Sequence, residues 1–434
     1  MSELHRLSLA QAIAQIGDGK LTATRYAEAL LARIDATDAT IDAWSHLDRA
    51  AVFREASRLD ALSPRERGPL HGAPIGVKDI VHTTGLPTRM GSKAFAAFVA
   101  PDDAACVKAL ASAGGYVFGK TVTTEIAFTH PGKTRNPWDP RHTPGGSSQG
   151  SAAAVAAGHV PAAIGTQTNG SVIRPAAYCG VVGFKPTLGA IPFDGVHLFS
   201  ETLDTLGTFT RTVADAALLA ASLAGAGRLE ARPRMPGSPP RLAYLSDFPW
   251  TQLDCDADDT LDAAATRLRM AGAQIVPVAL PDALSETVVV HRTIMLFEAA
   301  RNLESLQQRS RIELSRTLND ALDEGRAIGP TDYQQALASR KAMVAAATEW
   351  LGHYDSLIAP PAPAGAPEGL ETTGDPACCT LASLLGAPAI TLPIGLDARK
   401  LPLGMQIVAR PGNDAELLAV AAWCETNLPF KGLL

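Results

Sequence analysis

From Gly145 to Gly158 the chain carries no side chain larger than Gln: Gly-Gly-Ser-Ser-Gln-Gly, then Ser-Ala-Ala-Ala-Val-Ala-Ala-Gly. Pro144–Gly150 reads as a loop, and the Ala-rich run Ser151–Ala157 as a helix that begins directly behind it. A helix of such small side chains packs closely against its neighbours, which demands a dense interior. Gly158, His159 and Pro161 interrupt the run, so it is too short to cross a bilayer. Where such a loop enters a helix, the free backbone N–H groups are able to hold an anion or an oxyanion.

Around this segment strands and helices alternate. Leu9, Ile13 and Ile16, then Tyr26, Ala29, Leu30 and Ile34, recur at helical spacing and predict helix over 8–35, broken at Gly17-Asp18-Gly19. A second amphipathic helix is expected from Asp48 to Leu62. Ala73–Val81 is an apolar, strand-like run containing Lys78; Asp103–Ala113 is helical, and Tyr116–Gly119 is a strand. Ala162–Ile164 and Val181–Phe184 read as strands and Thr212–Leu223 as a helix. Gly and Pro mark 225–240 as a linker, beyond which Leu242–Leu245, Asp259–Met270 and Ile275–Val278 form a β-α-β unit. Residues 283–350 are mostly helical and more charged. This alternation predicts an α/β fold. A length of 434 residues would accommodate several domains. However, the chemically suggestive segments run from Lys78 to Ile407, so the two ends are expected to build one sheet together. The expectation is a single domain over 1–434, with a helical arm at 1–65 and a more variable helical portion at 283–350.

Net charge is −6, which argues against broad nucleic-acid or anionic-membrane binding. Six scattered cysteines without C-x-x-C spacing, and no basic-then-apolar leader at the N-terminus, point to a reducing cytoplasm. Neither H-E-x-x-H nor a Cys/His cluster occurs, so no metal is expected.

Three segments carry candidate chemistry. Lys78 stands among Ile75, Val77, Ile80 and Val81. A buried lysine loses its proton more readily and becomes a base near neutral pH. Its alternatives are a snorkelling strand-end lysine or a partner of Asp79. The Gly145–Gly150 loop fails the phosphate-loop pattern. It matches G-x-S-x-G around Ser148, although the prolines before it disfavour the strand a nucleophile elbow needs. Its serine hydroxyls are also suited to relaying protons. The turn Thr166-Gln-Thr-Asn-Gly-Ser171 offers a hydroxyl beside several free N–H groups, a nucleophile and an oxyanion hole together. No histidine falls in these segments. A triad using His291 or His353 would have to assemble in space, so Lys78 is the expected base.

Taken together, Gly145–Gly158, Gly170-Ser171 with Pro175-Ala176 and Cys179-Gly180, Gly183-Phe-Lys-Pro186, Gly76-Val-Lys-Asp79, Asn136-Pro-Trp-Asp139, Leu203-Asp-Thr205, Arg211-Thr-Val213, Leu384–Ala389 and Leu403–Ile407 resemble the amidase signature family. The resemblance covers about residues 8–425, in order. It implies a large mixed twisted β-sheet with helices on both faces, and a serine-dependent amidase needing no metal or cofactor. It places the family's Ser-cisSer-Lys triad on Ser171, Ser147 and Lys78, with a cis peptide bond after Gly146. Ser171 would attack the carbonyl, and Ser147 would pass the proton to Lys78. The oxyanion hole falls on the N–H groups of Thr168, Asn169, Gly170 and Ser171. Gln167 and Asn169 replace the Asp and Gly usual there, and Arg174 stands one place later than the usual Arg. A supporting Asp–Arg pair is therefore in doubt, as is the backbone geometry at Asn169.

The main expectation is a stand-alone hydrolase that takes a small-molecule amide and water, with a homodimer left open. The alternatives are the amidase subunit of a multi-subunit tRNA-dependent amidotransferase and a non-catalytic binding protein. Substrate contacts are expected from Phe128, His130, Phe193, Phe199 and Met295. Their apolar character hints at an aryl or alkyl amide; esters, carbamates and urea-like bonds fall under the same chemistry.

Overall fold

The computed structural model describes residues 3–225 and 227–432. Met1 and Ser2, where the reading for a leader begins, and Ala226, in the 225–240 linker, lie outside the described residues. Eleven strands form one mixed sheet. They are β1 (Trp44–His46), β2 (Pro74–Lys78), β3 (Tyr116–Thr121), β4 (Ala162–Gln167), β5 (Val182–Lys185), β6 (Thr205–Thr210), β7 (Arg241–Tyr244), β8 (Gln274–Pro277), β9 (Ser356–Ala359), β10 (Ala389–Leu396) and β11 (Pro402–Val408). Their order across the sheet is β1-β3-β2-β4-β6-β5-β10-β11-β9-β7-β8. β2 runs parallel to both β3 and β4, whereas β6, β5, β10 and β11 continue the sheet by antiparallel pairing. The fold is α/β, as expected. β10 and β11 close against β5, so residues beyond 380 extend the sheet begun near residue 44.

Both faces of this sheet are covered. In β4, Ala162 and Ile164 join one apolar core while Ala163 joins another. The side chains of a strand alternate between faces, so these are the two sides of the sheet. One core draws on the helices Ala105–Ser112, Val213–Ala224 and Asp414–Asn427. The other draws on Ala23–Ile41, Arg49–Asp60 and Gln149–Ala156. A strand buried on both faces has no solvent side, which explains why β2 and β4 read as unbroken small or apolar runs.

The helix expected over 8–35 is two helices, Leu9–Gly17 and Ala23–Ile41, the second capped by the Thr22 hydroxyl. Between 283 and 350 lie the helices Thr287–Asn302, Glu304–Ser310, Arg316–Ala327 and Pro330–Leu351. Periodicity does not reveal the helix Ile173–Cys179. Its Pro175 suggests a breaker, but it sits in the first turn, where a missing N–H costs no helical hydrogen bond. β6 and β9 are likewise not apparent from the pattern, being short and flanked by polar turns. Among the described residues no helix is long and apolar enough to cross a membrane.

The helix Gln149–Ala156 is buried along its whole length. At Gly150 a Cβ would lie 2.3 Å from the Ala43 carbonyl oxygen and 2.4 Å from the Val122 nitrogen. Here backbone touches backbone, and the helix cannot retreat without losing the loop in front of it. Gly150→Ala is expected to cost about 1–3 kcal/mol through overpacking. Urea denaturation would measure it, and an unchanged midpoint would contradict the close approach.

Candidate active site

Lys78 is the last residue of β2 and has no exposed surface. Its Nζ donates to Ser147 Oγ at 2.6 Å and to Thr166 Oγ1 at 2.8 Å. Thr166 comes from the neighbouring β4, so the sheet itself supplies one of the two partners. Burial pushes the Lys78 ammonium down to about 7, with the buried carboxylate of Asp204 opposing the shift. Neither alternative reading of this lysine survives. It does not reach the surface, and Asp79 faces another lysine, Lys120, at 3.5 Å.

The Gly/Ser loop comes to this lysine through two left-handed glycines, Gly145 (φ 80°) and Gly146 (φ 60°). A Cβ on Gly146 would meet the Pro175 ring at 2.5 Å and the Ser171 Cα at 3.2 Å. The missing side chain thus lets the Ser147 loop lie against the turn that carries Ser171. The cis bond expected after Gly146 is not present: among the described residues every peptide bond is trans, and the paired glycines turn the chain instead. Ser148 is not a nucleophile at an elbow. No strand precedes it, and its buried hydroxyl donates to the Thr166 carbonyl at 3.1 Å and accepts the Thr166 N–H at 3.3 Å.

Ser171 lies between the end of β4 and the helix Ile173–Cys179. Gln167 shapes this turn. Its Oε1 accepts the N–H groups of Val172 at 2.9 Å and Ile173 at 3.0 Å, and its Nε2 donates to Ser383 at 3.0 Å. A neutral amide therefore caps the helix, and no ion pair with Arg174 forms. Arg174 donates from Nε to the Thr373 carbonyl at 2.8 Å instead. Asn169 is not in the left-handed region; its side-chain oxygen accepts from Thr380 at 3.0 Å and its carbonyl accepts from Ser383. Among the described residues the N–H groups of Thr168, Asn169, Gly170 and Ser171 donate to no partner. The Ser171 hydroxyl, partly exposed, makes no side-chain hydrogen bond there either. The turn thus holds a hydroxyl and a run of open backbone donors, the kinds of group that attack on a carbonyl requires.

His291 is buried, with Nε2 at 3.1 Å from the Thr168 carbonyl oxygen, and burial pushes it down to about 4. His353 is exposed. Neither contacts Ser171 as a triad base would. A cavity of about 260 Å³ borders Asn169 and is lined by Trp250, His291, Met295, Asp375 and Thr380 among others. Met295 therefore shares a cavity with Asn169. Phe128 stacks on Phe199 with centroids 5.4 Å apart, and the Thr124 N–H at the head of the Phe128 loop donates to the Ser147 carbonyl at 3.2 Å. Phe193 packs on the main core, and His130 is exposed. Sequence reasoning does not single out Thr166, and it gives Asp204 no role although Leu203-Asp-Thr205 carries part of the resemblance.

A fully buried strand-end lysine, a serine in hydrogen-bond contact with it and a second serine on an open-donor turn define an α/β protein built for acyl transfer. Residues 25–418 match the amidase family model, and the chain belongs to the amidase family. It is 33% identical over 477 aligned positions to a subunit of the glutamyl-tRNA(Gln) amidotransferase of Chloroflexus aurantiacus, covering 97% of this chain and 96% of that protein. A crystal structure of an amidase superposes with a TM-score of 0.90 at 34% identity, covering 97% of this chain and 100% of the other. The 6-aminohexanoate cyclic dimer hydrolase superposes with a TM-score of 0.87 at 27% identity, covering 99% and 98%.

Gln167→Ala would leave two buried N–H groups of Val172 and Ile173 without an acceptor. The expected loss is about 2–4 kcal/mol, since each unsatisfied buried donor costs on the order of 1–3 kcal/mol. Chemical denaturation with Gln167→Glu as a control, which keeps the acceptor, would check it; equal stability of Gln167→Ala and the parent would contradict the capping role.

Proposed function

We propose that the chain is a serine-dependent hydrolase of amide C–N bonds, with Ser171 as nucleophile, Ser147 as relay and Lys78 as base and acid. The observation that carries this reading is the 2.6 Å contact between Lys78 Nζ and Ser147 Oγ at a fully buried strand end. Neutral Lys78 would take the Ser147 proton as Ser147 takes that of Ser171. The freed Ser171 oxygen would then add to the carbonyl carbon. Charge on the carbonyl oxygen would be met by the N–H groups of Thr168, Asn169, Gly170 and Ser171, each good donor being worth about 100–1,000-fold in rate. As the C–N bond breaks, Lys78 would return the proton through Ser147 to the leaving nitrogen. Water would release the acyl group by the same relay in reverse.

The preferred substrate is a small or medium amide, with esters, carbamates and urea-like bonds open to the same chemistry. Trp250 and Met295 in the cavity beside Asn169 support an aryl or alkyl group on one side of the scissile bond. We place the protein in the cytoplasm, acting without partner chains. The second reading, an amidotransferase component, is favoured by the 33% identity to the Chloroflexus aurantiacus protein. Size-exclusion chromatography with activity measurements on the purified chain separates the two: turnover only after partner chains are added would overturn the stand-alone reading.

Lys78→Ala and Ser171→Ala are each expected to abolish turnover, and Ser147→Ala to cost nearly as much, because relay groups act as a unit. Near-normal turnover of Lys78→Ala on an amide panel would overturn the mechanism. The lysine must be neutral to act. Since burial places it at about 7, kcat/KM is expected to fall as pH drops below that value, by about tenfold per unit. A flat profile through neutral pH would contradict the assignment of Lys78 as base.

A further inference from the structure

Asp204 stands outside the serine–lysine set, yet its buried carboxylate bonds the turn that leads to Ser171. It lies in the turn just before β6. Oδ1 accepts the Thr168 hydroxyl at 2.5 Å, and Oδ2 accepts the N–H groups of Phe199 at 2.7 Å and Ser200 at 3.0 Å. Three donors converge on one carboxylate, an arrangement that suits the ionised, acceptor-only form. Burial opposes that form and pushes the Asp204 carboxyl up to about 6, while the Lys78 charge pulls it back.

A second carboxylate stands behind the first. Glu298, on the helix Thr287–Asn302, is buried. It accepts the hydroxyls of Ser200 and Thr202, the Thr202 N–H at 3.0 Å and the Tyr333 hydroxyl at 2.7 Å. The 199–204 turn is thus gripped on one side by Asp204 itself and on the other by Glu298. The same helix reaches the oxyanion turn directly through His291, seven residues earlier and on the same face. Lys78 from β2 is the charged group that acts on Asp204, and the titratable groups of this helix, His291 and Glu298, reach its neighbours, the Thr168 carbonyl and the Thr202 N–H.

We propose that Asp204 is a positioning residue: it fixes Thr168 at the start of the oxyanion turn and, when ionised, places a negative charge near Lys78, while Glu298 holds the Asp204 turn in place. The proposal rests on the Ser171–Ser147–Lys78 reading. An ionised Asp204 only accepts, so the Thr168 hydroxyl must point towards it. The Thr168 side chain is then locked, and with it the first backbone N–H of the turn. The negative charge favours the protonated form of Lys78 and so offsets part of its burial. Asp204 touches neither the nucleophile nor the substrate carbonyl in this arrangement; it acts through Thr168 and through its field.

Labelling with a fluorophosphonate probe tests this without knowledge of the substrate. The second-order rate of Ser171 labelling is measured against pH for the parent chain, Asp204→Asn, Thr168→Val and Ser171→Ala, with circular dichroism to confirm folding. In Asp204→Asn the rate is expected to fall on the order of tenfold, a fraction of the loss seen when an oxyanion donor is removed outright. The acid limb of its profile should also move to lower pH, because the protonated Lys78 has lost its counter-charge. Thr168→Val should show a similar fall with the limb unmoved. Parent-like rates in both variants would overturn the positioning role. An unmoved limb in Asp204→Asn would overturn the charge role. If Asp204→Asn does not fold, Thr168→Val decides the positioning role alone. A parent chain that never labels at Ser171 would instead overturn the underlying mechanism, so the two failures are distinguishable.

Discussion

Everything at this site depends on a lysine held away from the surface with no carboxylate in contact. Two other lysines end up equally buried in the sheet, and they are informative. Lys120 faces Asp79 at 3.5 Å and donates to the Val81 carbonyl at 2.6 Å, and Lys185 donates to the Pro186 carbonyl at 3.0 Å. Burial pushes both to about 8. Lys78 has only hydroxyl partners, Ser147 and Thr166, and is pushed further, to about 7. A hydroxyl differs from a carbonyl or carboxylate in that it donates as well as accepts. At Lys78 every partner is of this kind, so the whole contact is able to reverse direction when the amine is neutral; Lys120 has one such partner, the Thr88 hydroxyl at 3.0 Å, beside its carbonyl and carboxylate.

Such a contact needs three pieces of backbone within a few ångströms of each other, and small residues make that possible. β2 and β4 pair side by side, which brings Thr166 to Lys78. The helix behind the Gly/Ser loop packs at Gly150 onto the backbone that leaves β3. Gly146 lets the loop meet the Ser171 turn at Pro175. The density of Gly, Ala and Ser here has the physical meaning of distance: larger side chains would hold the two serines apart.

An amidase and the 6-aminohexanoate cyclic dimer hydrolase share this architecture with the present chain across almost its full length. The sheet is a common frame, and selectivity is a matter of what stands around it. Here the helix Thr287–Asn302 contributes Met295 to the cavity beside Asn169, His291 to the Thr168 carbonyl and Glu298 to the 199–204 turn. A portion of the chain that reads as mostly helical and charged, with Met295 as its one expected substrate contact, thus supports both the cavity and the 168–171 turn.

The α/β class and the candidate residues were legible in the sequence because they rest on local features. These are strand–helix alternation, a lysine among branched apolar residues and two glycine-bounded serine turns. Lys78 and the 166–171 turn could be named for that reason, whereas local pattern centred the Gly/Ser loop on Ser148 and only the family resemblance pointed to Ser147. Phe193 and His130 could not be placed from the same kind of evidence, because an aromatic residue in a loop looks alike whether it lines a cavity, packs on the core or faces solvent. Other features waited on tertiary structure. The partners of Lys78, the tie of the Gln167 amide to Ser383, and the approach of Asp204 to Thr168 all join residues far apart in the chain. Their pairing follows from which strands lie side by side and which turns meet at the strand ends. Sequence by itself determined which residues were able to do chemistry. The fold decided which of them are buried together, and burial is what makes an ordinary ammonium give up its proton near neutral pH.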